Sequence, residues 1–248
     1  MTPPGGGSPA FGAAIFDMDG LLVDSEPLWR EAEIDIFGRL GVPLTEQLCL
    51  ETRGMVLTEV TRHWFDRHGW DGPDPDAVAA EIIDAMEALL SRSVAAKPGV
   101  VPALASCRAR GMRLAVASSS PRRLVDAVVD RLRLRPWFDV LHSAENEPAG
   151  KPDPAVFLTT AEMLGMAPDR CVVFEDSPAG IQAAVAAGMA CVAVPEDGVA
   201  TDMAAHQEGS GFERADLVIG SLEDVDDAFW ARIARRRPSR SIPDPVRR

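Results

Sequence analysis

Six short apolar runs recur along this 248-residue chain, each ending in polar or turn-forming residues. They are AAIF from Ala13, LAVAS (114–118), DVLHS (139–143), CVVFED (171–176), CVAVP (191–195) and DLVIG (216–220). A strand covered by helices on both faces reads as a nearly unbroken apolar run, because neither side of its pleat meets water. Between the runs the apolar spacing becomes helical. Leu124, Val125, Val128, Val129 and Leu132 form one such stripe, and Val156, Phe157, Thr160 and Leu164 another, opened by Pro154 and closed by Gly165. A third helical segment starts at Ser177-Pro178 and ends at Gly188. Strands alternating with helices demand parallel βαβ units, so the spacing predicts an α/β fold with a doubly wound parallel sheet.

The interval from Glu26 to Ser93 breaks this rhythm and offers no strand. Trp29, Ala32, Ile36 and Leu40 share a helix face; so do Val56, Val60 and Trp64, and so do Val78, Ile82, Met86, Leu89 and Leu90. Gly41-Val42-Pro43 and the stretch from Gly69 to Pro73 interrupt these helices. The expected organisation is a flexible leader (1–12), an α/β core (13–25 and 94–230), a helical cap inserted after the first strand (26–93) and a basic, disordered tail (231–248). Ligands of open α/β sheets bind beyond the carboxyl ends of the strands, so a cap inserted there covers the site.

The carboxyl ends of two runs carry paired acids. Asp17 and Asp19 follow the first, and strand alternation puts both on one side before Gly20 turns the chain. Two carboxylates about 4 Å apart repel by about 4 kcal/mol at an effective dielectric of ~20, which a cation, a proton or solvation in an open turn relieves. Glu175 and Asp176 end the fourth run, where they suit either helix capping before Ser177-Pro178 or a hard cation such as Mg²⁺. The chain has two lysines, Lys97 and Lys151, in a basic complement of 25 dominated by Arg, so a lysine suggests a need for a compact point charge. Lys151, at a strand-to-helix junction, suits contact with a phosphate or a carboxylate. Ser118, Ser119 and Ser120 begin a helix, where hydroxyls and free N–H groups either cap it or hold an anion.

Together these residues resemble the haloacid dehalogenase superfamily of phosphotransferases. FDMDGLLVDSE matches its opening DxDG motif, Ser118 its second motif, Lys151 its third and FEDSPAG its fourth, in order between Ala13 and Leu222. The cap after the first motif resembles that of the β-phosphoglucomutase-like subgroup. AAIFDMDGLLVDSEPLW, ASSSP and the stretch from Trp70 to Pro73 are similar to bacterial 2-deoxyglucose-6-phosphate and hexitol phosphatases. The resemblance implies Asp17 as nucleophile, forming an aspartyl-phosphate, and Asp19 as acid and then base. It implies Mg²⁺ held by Asp17, the carbonyl of Asp19 and Asp176, with Glu175 behind them, and phosphate contacts from Ser118, Ser119 and Lys151.

Departures from the subgroup favour hydrolysis of small sugar or polyol phosphates. The phosphomutases carry a histidine where this chain has Trp29, and Arg53-Gly54 replaces their Lys-Gly; a nearby cap arginine of theirs is Leu57 here. Asp19 argues against carbon–halogen cleavage, since true dehalogenases lack that aspartate. Glu26, Trp29 and Arg53 are the cap candidates for touching the sugar, although each also fits a capping, core or surface role. A phosphomutase, or a binding protein without turnover on the same scaffold, are the alternatives.

The net charge of −13 gives no electrostatic reason to hold nucleic acid or an anionic membrane. The tail departs from this balance with seven Arg against one Asp from 231 to 248, as either a solvated extension or a contact for an anionic partner. No apolar run reaches the ~20 residues of a membrane span. The first twelve residues lack the basic and apolar regions of a secretory signal, and the four cysteines show no CxxC pairing. Buried free thiols, a cytoplasmic location and a small phosphorylated metabolite as partner, with no protein partner evident, are expected.

Overall fold

The computed structural model describes residues 11–52, 55–92, 94–195 and 210–236. Its strands are β1 (Ala13–Phe16), β2 (Arg113–Ser118), β3 (Val140–Ser143), β4 (Cys171–Glu175), β5 (Ala190–Ala193) and β6 (Leu217–Val218). They form one parallel sheet in the order β3-β2-β1-β4-β5-β6. Each coincides with one of the apolar runs, and the central four are buried nearly throughout.

Alternation along the strands separates two cores. Ala14, Phe16, Leu114, Val116, Val172, Phe174 and Val192 face one side. There they meet α5 (Val100–Ala109), α6 (Arg122–Arg131) and α9 (Asp227–Arg236). Ala13, Ile15, Ala115, Ala117, Val173 and Cys191 face the other side, beneath α7 (Ala155–Met163) and α8 (Pro178–Ala186). Phe16 and Phe174 stack at 4.7 Å on neighbouring strands, and Phe174 meets Phe229 of α9 at 5.9 Å. Stacked aromatics contribute about 0.5–1.5 kcal/mol beyond area burial.

Two expectations about the ends are corrected. Residues 231–236, expected in a disordered tail, complete α9, with Phe229, Trp230 and Ile233 buried on one face. That spacing outweighs the polarity of the surrounding arginines, while residues 237–248 lie outside the described residues. Phe11 and Gly12, expected in the leader, are already buried, and Gly12 N–H donates to the Arg170 carbonyl at 2.8 Å. Residues 1–10 lie outside the described residues.

Four helices follow β1: α1 (Glu26–Arg39), α2 (Glu46–Cys49), α3 (Leu57–His68) and α4 (Pro75–Arg92). No strand occurs among the described residues of this insertion. Val78, Ile82, Met86, Leu89 and Leu90 of α4 are buried, as are Val60 and Trp64 of α3. The buried face of α1 is Ala32, Glu33, Ile36 and Phe37, rotated from the expected stripe, so that Trp29 is half-buried at the cap–core junction. The two connections to the core lie side by side: Val23 bridges Ala96, and Lys97 N–H donates to the Leu22 carbonyl at 3.0 Å. Arg123 of α6 pairs with Asp84 at 2.6 Å and Glu87 at 3.2 Å, both on α4, across the cap–core boundary. All four cysteines are free and buried, and burial pushes the Cys107 and Cys171 thiols up to about 12. No helix among the described residues is long and apolar enough to cross a membrane.

Candidate active site

The chain runs from β1 outward through β2 and β3, then returns to β4 on the other side of β1. The crevice beyond β1 and β4 is therefore the topological switch point, where open α/β sheets place ligands. Asp17 continues the ladder one residue past β1, its N–H donating to the Phe174 carbonyl at 3.0 Å. Met18 turns into the core, so Asp17 and Asp19 emerge on the crevice side. Gly20 sits at φ +75, and a Cβ there would overlap the Asp176 carboxylate. This turn needs glycine both for its dihedral and for its space.

Lys151 reaches this crevice from the loop before α7. Its Nζ donates to Asp17 Oδ1 at 2.5 Å, Glu175 Oε1 at 2.5 Å and the Ala117 carbonyl at 3.2 Å. Glu175 is fully buried; its Oε2 accepts from Ser177 N–H at 3.1 Å and Ser177 Oγ at 3.0 Å. Ser177 in turn caps α8 by accepting from Gly180 N–H at 3.1 Å. Gly180 is required because its Cβ would fall on the Glu175 carboxyl. Burial alone would lower the Lys151 pKa, but Asp17 and Glu175 outweigh it and hold the ammonium charged. Burial pushes the Asp17 carboxyl up to about 8; Lys151 opposes this, while Glu175 and Asp19 push in the same direction as burial.

Asp19 is held by donors from both the core and the cap. Its Oδ1 accepts from Ser25 Oγ at 2.5 Å and Trp29 Nε1 at 3.4 Å, and its Oδ2 from Ser120 Oγ at 2.7 Å and Ser118 Oγ at 3.4 Å. Ser25 occupies the N-cap position of α1 yet makes no side-chain cap bond, its hydroxyl being turned to Asp19. Ser118 also accepts from Ser120 N–H at 3.0 Å, and Ser143 Oγ donates to the Ser120 carbonyl at 2.7 Å. Ser119 is exposed and lines the adjoining cavity without touching Asp19.

That cavity, about 170 Å³, lies between cap and core. Asp19, Ser119, Ser120 and Pro121 form its core side; Glu26, Trp29, Arg30 and Glu33 of α1, Cys49, Thr52 and the segment from Met55 to Leu57 form its cap side. Val56 of the cap approaches the core closely at Gly150, where a Cβ would come within 2.9 Å of Val56 Cγ2. Of the expected sugar contacts, Glu26 and Trp29 line the cavity; Arg53 lies outside the described residues. Ser25, Arg30 and Glu33 were not singled out from the sequence, and Ser120 was read there only as one of three hydroxyls capping a helix or holding an anion. Glu33 carried a usable signal, being an acid on an otherwise apolar helix face.

Asp17, Glu175 and Asp176 each present a carboxylate oxygen within 4.8 Å of the others. An all-oxygen, anionic donor set suits a hard divalent cation. Asp17, Glu175 and Asp176 gather three carboxylates beside the single ammonium of Lys151. The residues present therefore fit a divalent cation.

The model of the haloacid dehalogenase-like hydrolases matches residues 11–188. Hexitol phosphatase B of Escherichia coli K12 is 38% identical over 214 residues, covering 86% of this chain and 93% of that protein. Fructose-1-phosphate phosphatase YqaB of the same strain is 35% identical over 184 residues, covering 74% and 96%. Among solved structures, CbbY from Rhodobacter sphaeroides, in complex with phosphate, superposes with a TM-score of 0.74 at 27% identity, covering 87% of this chain and 96% of that one. With its parallel core, its helical cap and a sequence match over most of its length, the chain belongs to the haloacid dehalogenase-like hydrolase family.

Proposed function

We propose that this hydrolase is a Mg²⁺-dependent phosphatase of small sugar or polyol monophosphates, of the hexitol or 2-deoxyglucose 6-phosphate type, working through a phosphoryl group on Asp17. The observation that carries this is the grouping of Asp17, Lys151, Glu175 and Asp176 at the switch point, with Asp19 facing a cavity between cap and core. The phosphatase relatives support the same substrate class.

Asp17 attacks phosphorus through a carboxylate oxygen; the new O–P bond forms as the bond to the leaving alcohol oxygen breaks. Asp19 gives that oxygen its proton. Water then attacks phosphorus, Asp19 takes the water's proton, and the Asp17–phosphorus bond breaks to release inorganic phosphate. Lys151 orients Asp17 and, with Ser118 and Ser119, meets the phosphoryl oxygens. Glu175, fixed by Ser177, holds Lys151 in place. Asp17, Asp176 and the Asp19 carbonyl would hold the Mg²⁺, whose two positive charges would keep Asp17 ionised and offset the charge of the phosphoryl oxygens. Trp29 and the seryl hydroxyls keep Asp19 in register.

Phosphate release from p-nitrophenyl phosphate and from 2-deoxyglucose 6-phosphate, with Mg²⁺ and then with EDTA, tests this reading. Release that EDTA abolishes is expected. Conversion of glucose 1-phosphate to glucose 6-phosphate would favour a phosphomutase, and no release from any ester would favour a binding protein.

A further inference from the structure

One buried acid has no part in the chemistry above. Glu33 is 9% exposed on the buried face of α1, beside Ala32, Ile36 and Phe37, and it also lines the cavity that holds Asp19. Burial pushes its carboxyl up to about 7; its hydrogen bond with the Cys49 thiol pulls the other way, and repulsion from Glu26 adds to the rise. A thiol is a weak donor, so this bond compensates a carboxylate poorly. An apolar side chain would serve the helix packing better. Once ionised, above about pH 7, Glu33 adds an anionic acceptor to the cavity wall.

The position of that acceptor matters because of where the substrate must lie. The inference rests on the phosphatase reading: if Asp19 protonates the leaving oxygen, the leaving group fills the cavity in which Asp19 sits. Residues 26, 29, 30 and 33 are spaced on one face of α1 and line that cavity together. Arg30 pairs with Glu26 at 3.7 Å, so its charge is shared. The face therefore offers two carboxylates against one guanidinium, with Asp19 beyond.

We propose that Glu33 is a specificity-determining residue: it accepts hydrogen bonds from hydroxyls of a neutral polyhydroxy leaving group and repels substrates bearing a second anionic group. A hydroxyl satisfies a buried carboxylate, whereas a second phosphate places like charge against it in a desolvated space. Selection of monophosphates of neutral sugars or polyols over bisphosphates follows, by attraction on one side and repulsion on the other.

The test compares, at about pH 8 where the Glu33 carboxyl is ionised, kcat/KM for sorbitol 6-phosphate and fructose 1,6-bisphosphate in wild type, Glu33→Gln and Glu33→Met, with p-nitrophenyl phosphate as a substrate lacking the polyol chain. Thermal unfolding checks that each variant folds, and either folded variant suffices. Wild type is expected to favour sorbitol 6-phosphate. Removing the charge should shrink that preference about tenfold, mainly through KM. A preference unchanged within twofold in a folded variant overturns the inference while leaving the phosphatase reading intact. Failure of wild type to hydrolyse p-nitrophenyl phosphate or any other ester overturns the phosphatase reading, and this inference with it.

Discussion

Lys151 and Asp17, 134 residues apart in sequence, meet at 2.5 Å, and the same ammonium lies 2.5 Å from the buried Glu175. One cation thus holds together the ends of two neighbouring strands. Lys151→Met leaves two buried carboxylates facing each other. It is expected to cost about 3–5 kcal/mol of stability at pH 7, as for a buried pair broken from one side. Urea unfolding measures this, and an unchanged midpoint would contradict the pairing described. Phosphate release should fall by on the order of 10²-fold or more.

Gly180 tests the same cluster from behind. Its Cβ would fall on the Glu175 carboxyl, which has no room to retreat in a fully buried position. Gly180→Ala should therefore displace Glu175, with a cost of about 1–3 kcal/mol for overpacking and reduced turnover. Equal stability and turnover in the two proteins would contradict the packing described.

Trp29 links the cap to Asp19 through one 3.4 Å hydrogen bond from its indole. Trp29→Phe keeps an aromatic ring and removes that donor. Because the bond is long and Asp19 retains three hydroxyl donors, kcat should fall by about tenfold or less, the effect of one modest hydrogen bond. A loss of several hundredfold would mean that the indole does more than orient Asp19.

Glu33 should leave a pH signature in stability. Its carboxyl titrates near its ordinary value in the unfolded chain but is pushed up to about 7 by burial when folded. The folded form is therefore favoured below about 4.5, and that advantage is lost as pH rises to about 7. Above this the cost is constant, at most about 3 kcal/mol. Glu33→Gln lacks this penalty, so its stability relative to wild type should rise between pH 4.5 and 7 and then level off. A flat difference across that range, from denaturant unfolding, would contradict the buried placement.

Much of the core was legible because burial on both faces writes strands as apolar runs, and the acids at the ends of β1 and β4 stand out against them. Lys151 was legible through its rarity in an arginine-rich chain. Ser120 was not separable from Ser118 and Ser119, since three consecutive serines carry no periodic signal and only the turn decides which hydroxyl reaches Asp19. Ser25 carried no signal of its own, since a serine before a helix suits a cap, whereas its hydroxyl turns to Asp19 instead. The α1 stripe was rotated because Trp29 counts as apolar by type, yet its position at the junction follows from the cap's closure on the core. The arginines after Phe229 hid the end of α9, where Trp230 and Ile233 still set the helical face.

Acid-quenched turnover with peptide mapping addresses the nucleophile most directly. With Mg²⁺ and a small sugar phosphate, a phosphoryl group on Asp17 is expected in the wild-type protein, and no turnover in a folded Asp17→Asn variant. Near-normal phosphate release by Asp17→Asn, with no phosphoryl group on Asp17 in wild type, would contradict it.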